Sequence, residues 1–263
     1  MLGIFDSGLG GLSVVRRLKE RLPHHELFFF ADQAHVPYGD RPSHELAGLL
    51  AQNVRFLNEA AVTMIVMGCN TSCAIAQEFG WPPSSVAILD LIESAALVVE
   101  RSGFFNVGVI ATSTTVRARA YSRAIHARVP KAVVFEVAAP GLVPLVEAGK
   151  VGTQEAHEAV AAICAQLPAG LDAVILACTH YPILDLHFAD ALGPSVMRID
   201  PALEQAERAA KLSAGNGIAR GLAGTTYVTN GDLEAFRVAV RMITGEFEPN
   251  CTYASVTRGR VAK

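Results

Sequence analysis

Short apolar runs alternate with longer amphipathic stretches from the first residue onward. Leu2–Phe5, Leu27–Phe30, Met64–Met67, Val86–Leu89, Val107–Ile110, Val133–Val137, Val174–Ala177 and Tyr227–Thr229 read as strands. Between them, segments such as Gly11–Arg21, His44–Ala60, Val116–Arg128 and Thr153–Gln166 carry apolar residues at helical spacing. Short strands separated by helices of this length read as βαβ units and parallel sheets. Two stretches resemble each other. The strand ending Gly3-Ile4-Phe5-Asp6-Ser7 matches Val109-Ile110-Ala111-Thr112-Ser113, and Met64 to Thr71 matches Val174 to His180. Asp6 and Thr112 lie 106 positions apart, and Cys69 and Cys178 lie 109 apart. The near-equal offsets predict two similar α/β lobes, each presenting a cysteine at a strand's C-terminal end, where open α/β sheets bind ligands. The expected division is 1–93 plus 206–263 for the first lobe and 94–205 for the second. Mainly parallel sheets flanked by helices, a pseudo-two-fold and a site in the cleft between the lobes complete the fold expectation.

Composition supports strands covered on both faces, with 51% hydrophobic and 18% charged residues in 263. A net charge of −3 gives no footprint for nucleic acid or an anionic membrane. No apolar run approaches the roughly 18 residues of a membrane span. The N-terminus lacks the basic start and cleavage site of a signal peptide, so the expectation is a cytoplasmic protein with reduced thiols. Its five cysteines, at 69, 73, 164, 178 and 251, form no C-x-x-C pair.

Cys69 and Cys178 each follow a small residue and precede helix-capping types: Asn70, Thr71 and Ser72 in one case, Thr179 in the other. A helix N-terminus lowers a thiol pKa and offers N–H donors to a carboxylate. The alternatives are buried cysteines that only pack and a zinc site from Cys69, Cys73, Cys178 and His180, whose spacings are not those of common zinc motifs. The expectation is no metal. Gly8-Leu9-Gly10-Gly11 lacks the spacing of a dinucleotide fingerprint or P-loop, and reads instead as a tight turn bringing Asp6 and Ser7 to the cleft.

These blocks resemble the aspartate/glutamate racemase family. The matching residues are Gly3 to Leu12, Asp32 with Pro37-Tyr38-Gly39, Cys69-Asn70-Thr71, Ala111-Thr112 with Thr115-Val116, Val143 to Gly149, Cys178-Thr179-His180-Tyr181-Pro182, and Thr229. The resemblance implies two facing α/β domains, no cofactor, a homodimer, and interconversion of L- and D-glutamate for peptidoglycan. It makes Cys69 and Cys178 the catalytic bases; Asp6 and His180 read as their acid/base partners, with action on the substrate ammonium the alternative for Asp6. Substrate contacts carry over to Asp6, Ser7, Tyr38, Gly39, Asn70, Thr71, Thr179 and His180, with Thr112, Thr115 and Glu147 as further candidates. The histidine after Cys178-Thr179 separates the pattern from aspartate racemases, which it resembles less. Gly68 and Ala177 exchange the usual small residues before the cysteines. Cys73, His35 and Ala118 also depart from the pattern.

Racemisation needs a proton taken from one face of the α-carbon and another returned to the opposite face. Two bases do this if one starts as thiolate and the other as thiol. Alternatives are a racemase for aspartate or a hydantoin on the same fold, or a two-lobed binding protein without chemistry. A one-cysteine decarboxylase is disfavoured by the pair. Asp32, Cys164 and Cys251 read as structural, and Arg258-Gly259-Arg260 as a frayed tail.

Overall fold

The computed structural model describes residues 1–213, 223–257 and 260–262. The chain opens with β1 (Leu2–Asp6), α1 (Leu12–Arg21), β2 (Leu27–Ala31), α2 (Ser43–Glu59), β3 (Ile65–Met67), α3 (Asn70–Phe79), β4 (Ile88–Leu89) and α4 (Leu91–Ser102). A second series follows: β5 (Asn106–Ala111), α5 (Ser113–Arg117), α6 (Ala120–Arg128), β6 (Val133–Ala138), α7 (Leu142–Glu147), α8 (Gln154–Cys164), β7 (Ala173–Ala177), α9 (Asp185–Leu192) and β8 (Met197–Ile199). Helix α10 (Pro201–Ser213) leads back to β9 (Thr225–Thr229), α11 (Leu233–Thr244) and β10 (Asn250–Tyr253). The strands β11 (Ser255–Thr257) and β12 (Arg260–Ala262) form a small antiparallel ribbon.

The first sheet runs β10-β9-β2-β1-β3-β4 and the second β6-β5-β7-β8. Every paired strand in both is parallel. The order β2-β1-β3-β4 is repeated by β6-β5-β7-β8, so the sequence repeat is a repeat of topology. Phe5 pairs with Met67 and Ala111 with Ala177. This register sets Asp6 beside the Cys69 turn, as it sets Thr112 beside Cys178.

The central strands β1 and β7 are buried along their whole length, which explains their unbroken apolar runs. One core joins the lobes. Phe5, Ile65 and Met67 from the first sheet share it with Val107, Val109, Ile175 and Ala177 from the second, and with Leu91, Ile92, Ala95, Ala96 and Val99 of α4. Each fully buried aliphatic side chain contributes roughly 1.5–3 kcal/mol, so this shared layer fixes the lobes to one another. The chain passes between sheets through α4 and α10, and the expected boundaries at 93/94 and 205/206 fall inside these helices.

Three expectations need correction. The helix expected over Val116–Arg128 is two helices, because Arg119 takes a left-handed conformation (φ 49°) between them. Residues Thr179 and His180 do not open an α-helix directly; a 3-10 turn over Tyr181–Leu184 intervenes before α9. Of the tail expected to fray, Arg260 lies in β12, while Arg258 and Gly259 fall outside the described residues. Strands β8 and β10 complete the sheets without having been predicted.

Candidate active site

The C-terminal ends of β1, β3, β5 and β7 face one cavity of about 340 Å³ between the sheets. Asp6, Ser7, Tyr38, Gly39, Cys69, Asn70 and Thr71 line it from the first lobe. Thr112, Glu147, Cys178, Thr179 and His180 line it from the second. Thr115 is fully buried behind Thr112, with the two hydroxyls 3.0 Å apart.

Cys69 stands two residues past β3, at the N-cap position of α3, in extended backbone (φ −119°, ψ 111°). The preceding residue has to be glycine, because a Cβ there would stand 2.9 Å from the Phe5 carbonyl oxygen. Ser7 Oγ donates to Asp6 Oδ1 at 3.1 Å and lies 3.4 Å from Cys69 Sγ. Since that hydroxyl's one proton goes to Asp6, the thiol is the donor to Ser7 in this arrangement. Burial, reinforced by the Asp6 carboxylate, pushes the Cys69 thiol up to about 11. Asp6 is itself raised by burial, against the lowering effects of His180, the Gly8 N–H, Thr179 and Ser7.

Cys178 stands in a different setting. His180 Nδ1 is 3.6 Å from its sulfur, and His180 Nε2 contacts Glu147 Oε1 at 2.6 Å. Burial works to lower the His180 pKa, yet hydrogen bonds to Cys178 and Glu147 outweigh it and hold the imidazole well above its ordinary value. A raised pKa favours the protonated ring, the form that can donate to both Cys178 and Glu147. Glu147, at the end of α7, thus faces the site rather than solvent alone.

Polar contacts cross the cleft. Thr179 Oγ1 donates to Asp6 Oδ2 at 3.0 Å, and Thr71 and Thr112 hydroxyls meet at 3.0 Å. Tyr121 OH donates to Asn70 Oδ1 at 2.5 Å. The Gly39 carbonyl accepts from both the N–H and hydroxyl of Thr114, at 3.1 and 2.8 Å. Gly10 permits the closest approach, since a Cβ there would lie 2.4 Å from Thr179 Oγ1.

The Tyr38-Gly39 loop is anchored from below by Asp32, which is fully buried. Asp32 accepts from Tyr38 OH, from Asn53 Nδ2 at 3.1 Å and from Asn230 Nδ2 at 2.5 Å, and it pairs with His35 Nδ1 at 2.6 Å. Cys73 sits one turn into α3 and is fully buried; burial and Asp90 hold it as a thiol. Cys164 packs in the second lobe's core, and Cys251 is half-buried against the first. Among the described residues, no group of three or more His, Cys, Asp or Glu side chains is gathered as metal ligands would be. No helix among them is long and apolar enough to cross a membrane.

Tyr121, Thr114 and Asp40 were not predicted. Tyr121 and Thr114 act across the cleft, a relation that no local spacing records, and Asp40 is a lining residue next to the quoted Pro37-Tyr38-Gly39.

Comparison with known proteins places this geometry. A family model described as Asp/Glu/Hydantoin racemase matches residues 12–209. A glutamate racemase of Desulforudis audaxviator is 41% identical over 261 residues, covering 94% of this chain and 95% of the relative. Among solved structures, glutamate racemase from Francisella tularensis in complex with D-glutamate superposes with a TM-score of 0.88 at 27% identity, covering 97% of each chain. Glutamate racemase from Thermus thermophilus in complex with beta-chloro-D-alanine gives 0.84 at 32% identity, covering 97% of this chain and 96% of that one.

Proposed function

The chain belongs to the Asp/Glu/Hydantoin racemase family, and from that premise we propose that it interconverts L- and D-glutamate by passing protons between two cysteines and the substrate's α-carbon. The observation that carries this reading is the pair Cys69 and Cys178, brought from equivalent strand ends to one polar cavity.

The reaction divides as follows. A thiolate removes the α-proton from one face, leaving a carbanion conjugated with the α-carboxylate. The opposite thiol then delivers its proton to the other face, and the S–H and C–H bonds made balance those broken. Cys69 is the thiol of the pair: a pKa of about 11 makes its ionisation at pH 7 cost roughly 5 kcal/mol. His180 Nδ1 stands 3.6 Å from the Cys178 sulfur, and a cation at that distance stabilises a thiolate. For the other enantiomer the roles reverse, and the substrate ammonium, set near Asp6, supplies the positive charge that Cys69 lacks. The carbanion is the high-energy species, and Asn70, Thr71, the Thr179 N–H and the α3 N-terminal amides are the donors proposed for its carboxylate. The Tyr38-Gly39 backbone holds the distal carboxylate.

This reading carries several further parts: no cofactor, a cytoplasmic enzyme supplying D-glutamate for peptidoglycan, a homodimer, and lobes formed by 1–93 with 206–263 and by 94–205. The purified protein incubated with L-glutamate and no additive should yield D-glutamate by chiral chromatography, while L-aspartate should yield far less D-product. Faster turnover of aspartate or a hydantoin would reassign the substrate. Tight glutamate binding with no D-product would favour a binding protein.

A further inference from the structure

The helices α4 and α10 carry the chain between the lobes, and one buried side chain ties them to the Cys69 turn. Gln205 of α10 is fully buried, as is Ser94 of α4. Gln205 Nε2 donates to the Met67 carbonyl at 2.5 Å and to the Leu89 carbonyl at 3.2 Å, so its amide joins the ends of β3 and β4. Its Oε1 accepts from Ser94 Oγ at 2.9 Å, and Arg208 Nη1 donates to the same Ser94 hydroxyl at 2.8 Å. Every polar atom of the Gln205 amide is thereby bound to another element.

The Met67–Gly68 peptide is the last unit before Cys69. Gln205 holds its carbonyl oxygen, and its N–H donates to the Phe5 carbonyl at 2.6 Å. Both ends of one rigid plane are fixed, and Gly68 packs so near β1 that a Cβ on it would stand 2.9 Å from the Phe5 carbonyl oxygen. The Cα of Cys69 follows two bonds beyond Gly68's own Cα–C bond, so a rotation of this peptide moves the sulfur. A displacement of about 1 Å of a reacting group can cost about a hundredfold in rate.

We propose that Gln205 is a positioning residue for Cys69, through which the inter-lobe helices set where that thiol stands against the substrate. The proposal rests on the two-cysteine reading. It assigns Gln205 no contact with substrate, since it does not line the cavity.

Gln205→Met keeps the side chain's length and removes all its hydrogen bonds. Its kcat/KM should fall about tenfold or more in both directions alike, because racemisation has an equilibrium constant of one. The discriminating readout is the isotope effect on kcat/KM with α-deuterated L- and D-glutamate. Impairing one base makes its proton transfer limiting, so the effect should rise for the enantiomer that Cys69 deprotonates and fall toward unity for the other. Isotope effects unchanged from the parent enzyme, with activity merely reduced, would overturn the proposal. Ser94→Ala, which loosens Gln205 without touching Met67, should shift both effects in the same senses by less, and decides the matter if Gln205→Met does not fold; unchanged isotope effects there too would overturn it. Cys69→Ser in the same assay separates the two failures. Retained turnover in that variant would break the two-cysteine reading, whereas lost turnover with unchanged isotope effects in Gln205→Met would remove the positioning role alone.

Discussion

The turn after β3 and the turn after β7 stand at matching places in two sheets of the same strand order, yet their cysteines keep different company. Cys69 shares a proton relay with Ser7 and the Asp6 carboxylate, and burial pushes its thiol up to about 11. Cys178 faces His180, which Glu147 backs and whose pKa is raised. A single fold repeat thus delivers two sulfurs to equivalent strand ends in different settings, one near a carboxylate and the other beside a histidine. The proposed inversion needs one sulfur as thiolate and the other as thiol. The asymmetry is resolved at the substrate, whose ammonium would complement Asp6 on one side as His180 complements Cys178 on the other.

The comparison breaks most visibly if one sulfur is dispensable. Cys69→Ser and Cys178→Ser should each lower kcat by more than about a thousandfold, measured by circular dichroism of glutamate. His180→Asn should cost about 10²-fold in kcat, the usual scale for losing a positioned acid/base group. Glu147→Gln should be milder, about tenfold, and should sharpen the electrostatic argument. Glu147 helps keep the proton on His180, so its loss lowers the His180 pKa, and the alkaline limb of the kcat/KM pH profile should move to lower pH. A limb that stays fixed would detach Glu147 from the relay.

The smallest expected effect is on stability. Burial raises the folded-state pKa of Asp6 above its unfolded value, so the native state prefers the protonated carboxyl. That contribution is present at low pH and is lost as pH rises through the folded pKa. Asp6→Asn cannot ionise, so at pH 8 its melting temperature should exceed the parent's by a few degrees (about 2–4 °C) even as activity falls. Unchanged or lower melting would show that the lost hydrogen bonds from Gly8, Ser7 and Thr179 outweigh the relieved charge.

The strands that build the cleft were legible because buried parallel strands leave unbroken apolar runs, and both cysteines sit where such runs stop. Strand β8 left no such trace: Met197 is exposed and Arg198 half-buried at a sheet edge. The break between α5 and α6 carries no glycine or proline, and Arg119 takes a positive φ that its residue type does not announce. Thr179 and His180 were readable as sequence neighbours of Cys178, and Asp6 and Ser7 as the polar end of the first strand. Tyr121, Thr114 and Gln205 were not, because each acts through a backbone or side-chain atom in a distant element. Glu147 fell between: its motif was visible, but only its 2.6 Å contact with His180 separates it from an ordinary helix-surface glutamate.

The central claim is that the two sulfurs work on opposite faces with separate proton pools. Its most direct test is to start L-glutamate in deuterated water and record, at early conversion, the α-deuterium content of both enantiomers by mass spectrometry after chiral separation. The account predicts D-glutamate that is almost fully deuterated from the first turnovers, beside remaining L-glutamate that is still protiated. D-glutamate that keeps the original α-proton would mean that one base carries it across, and would contradict the account.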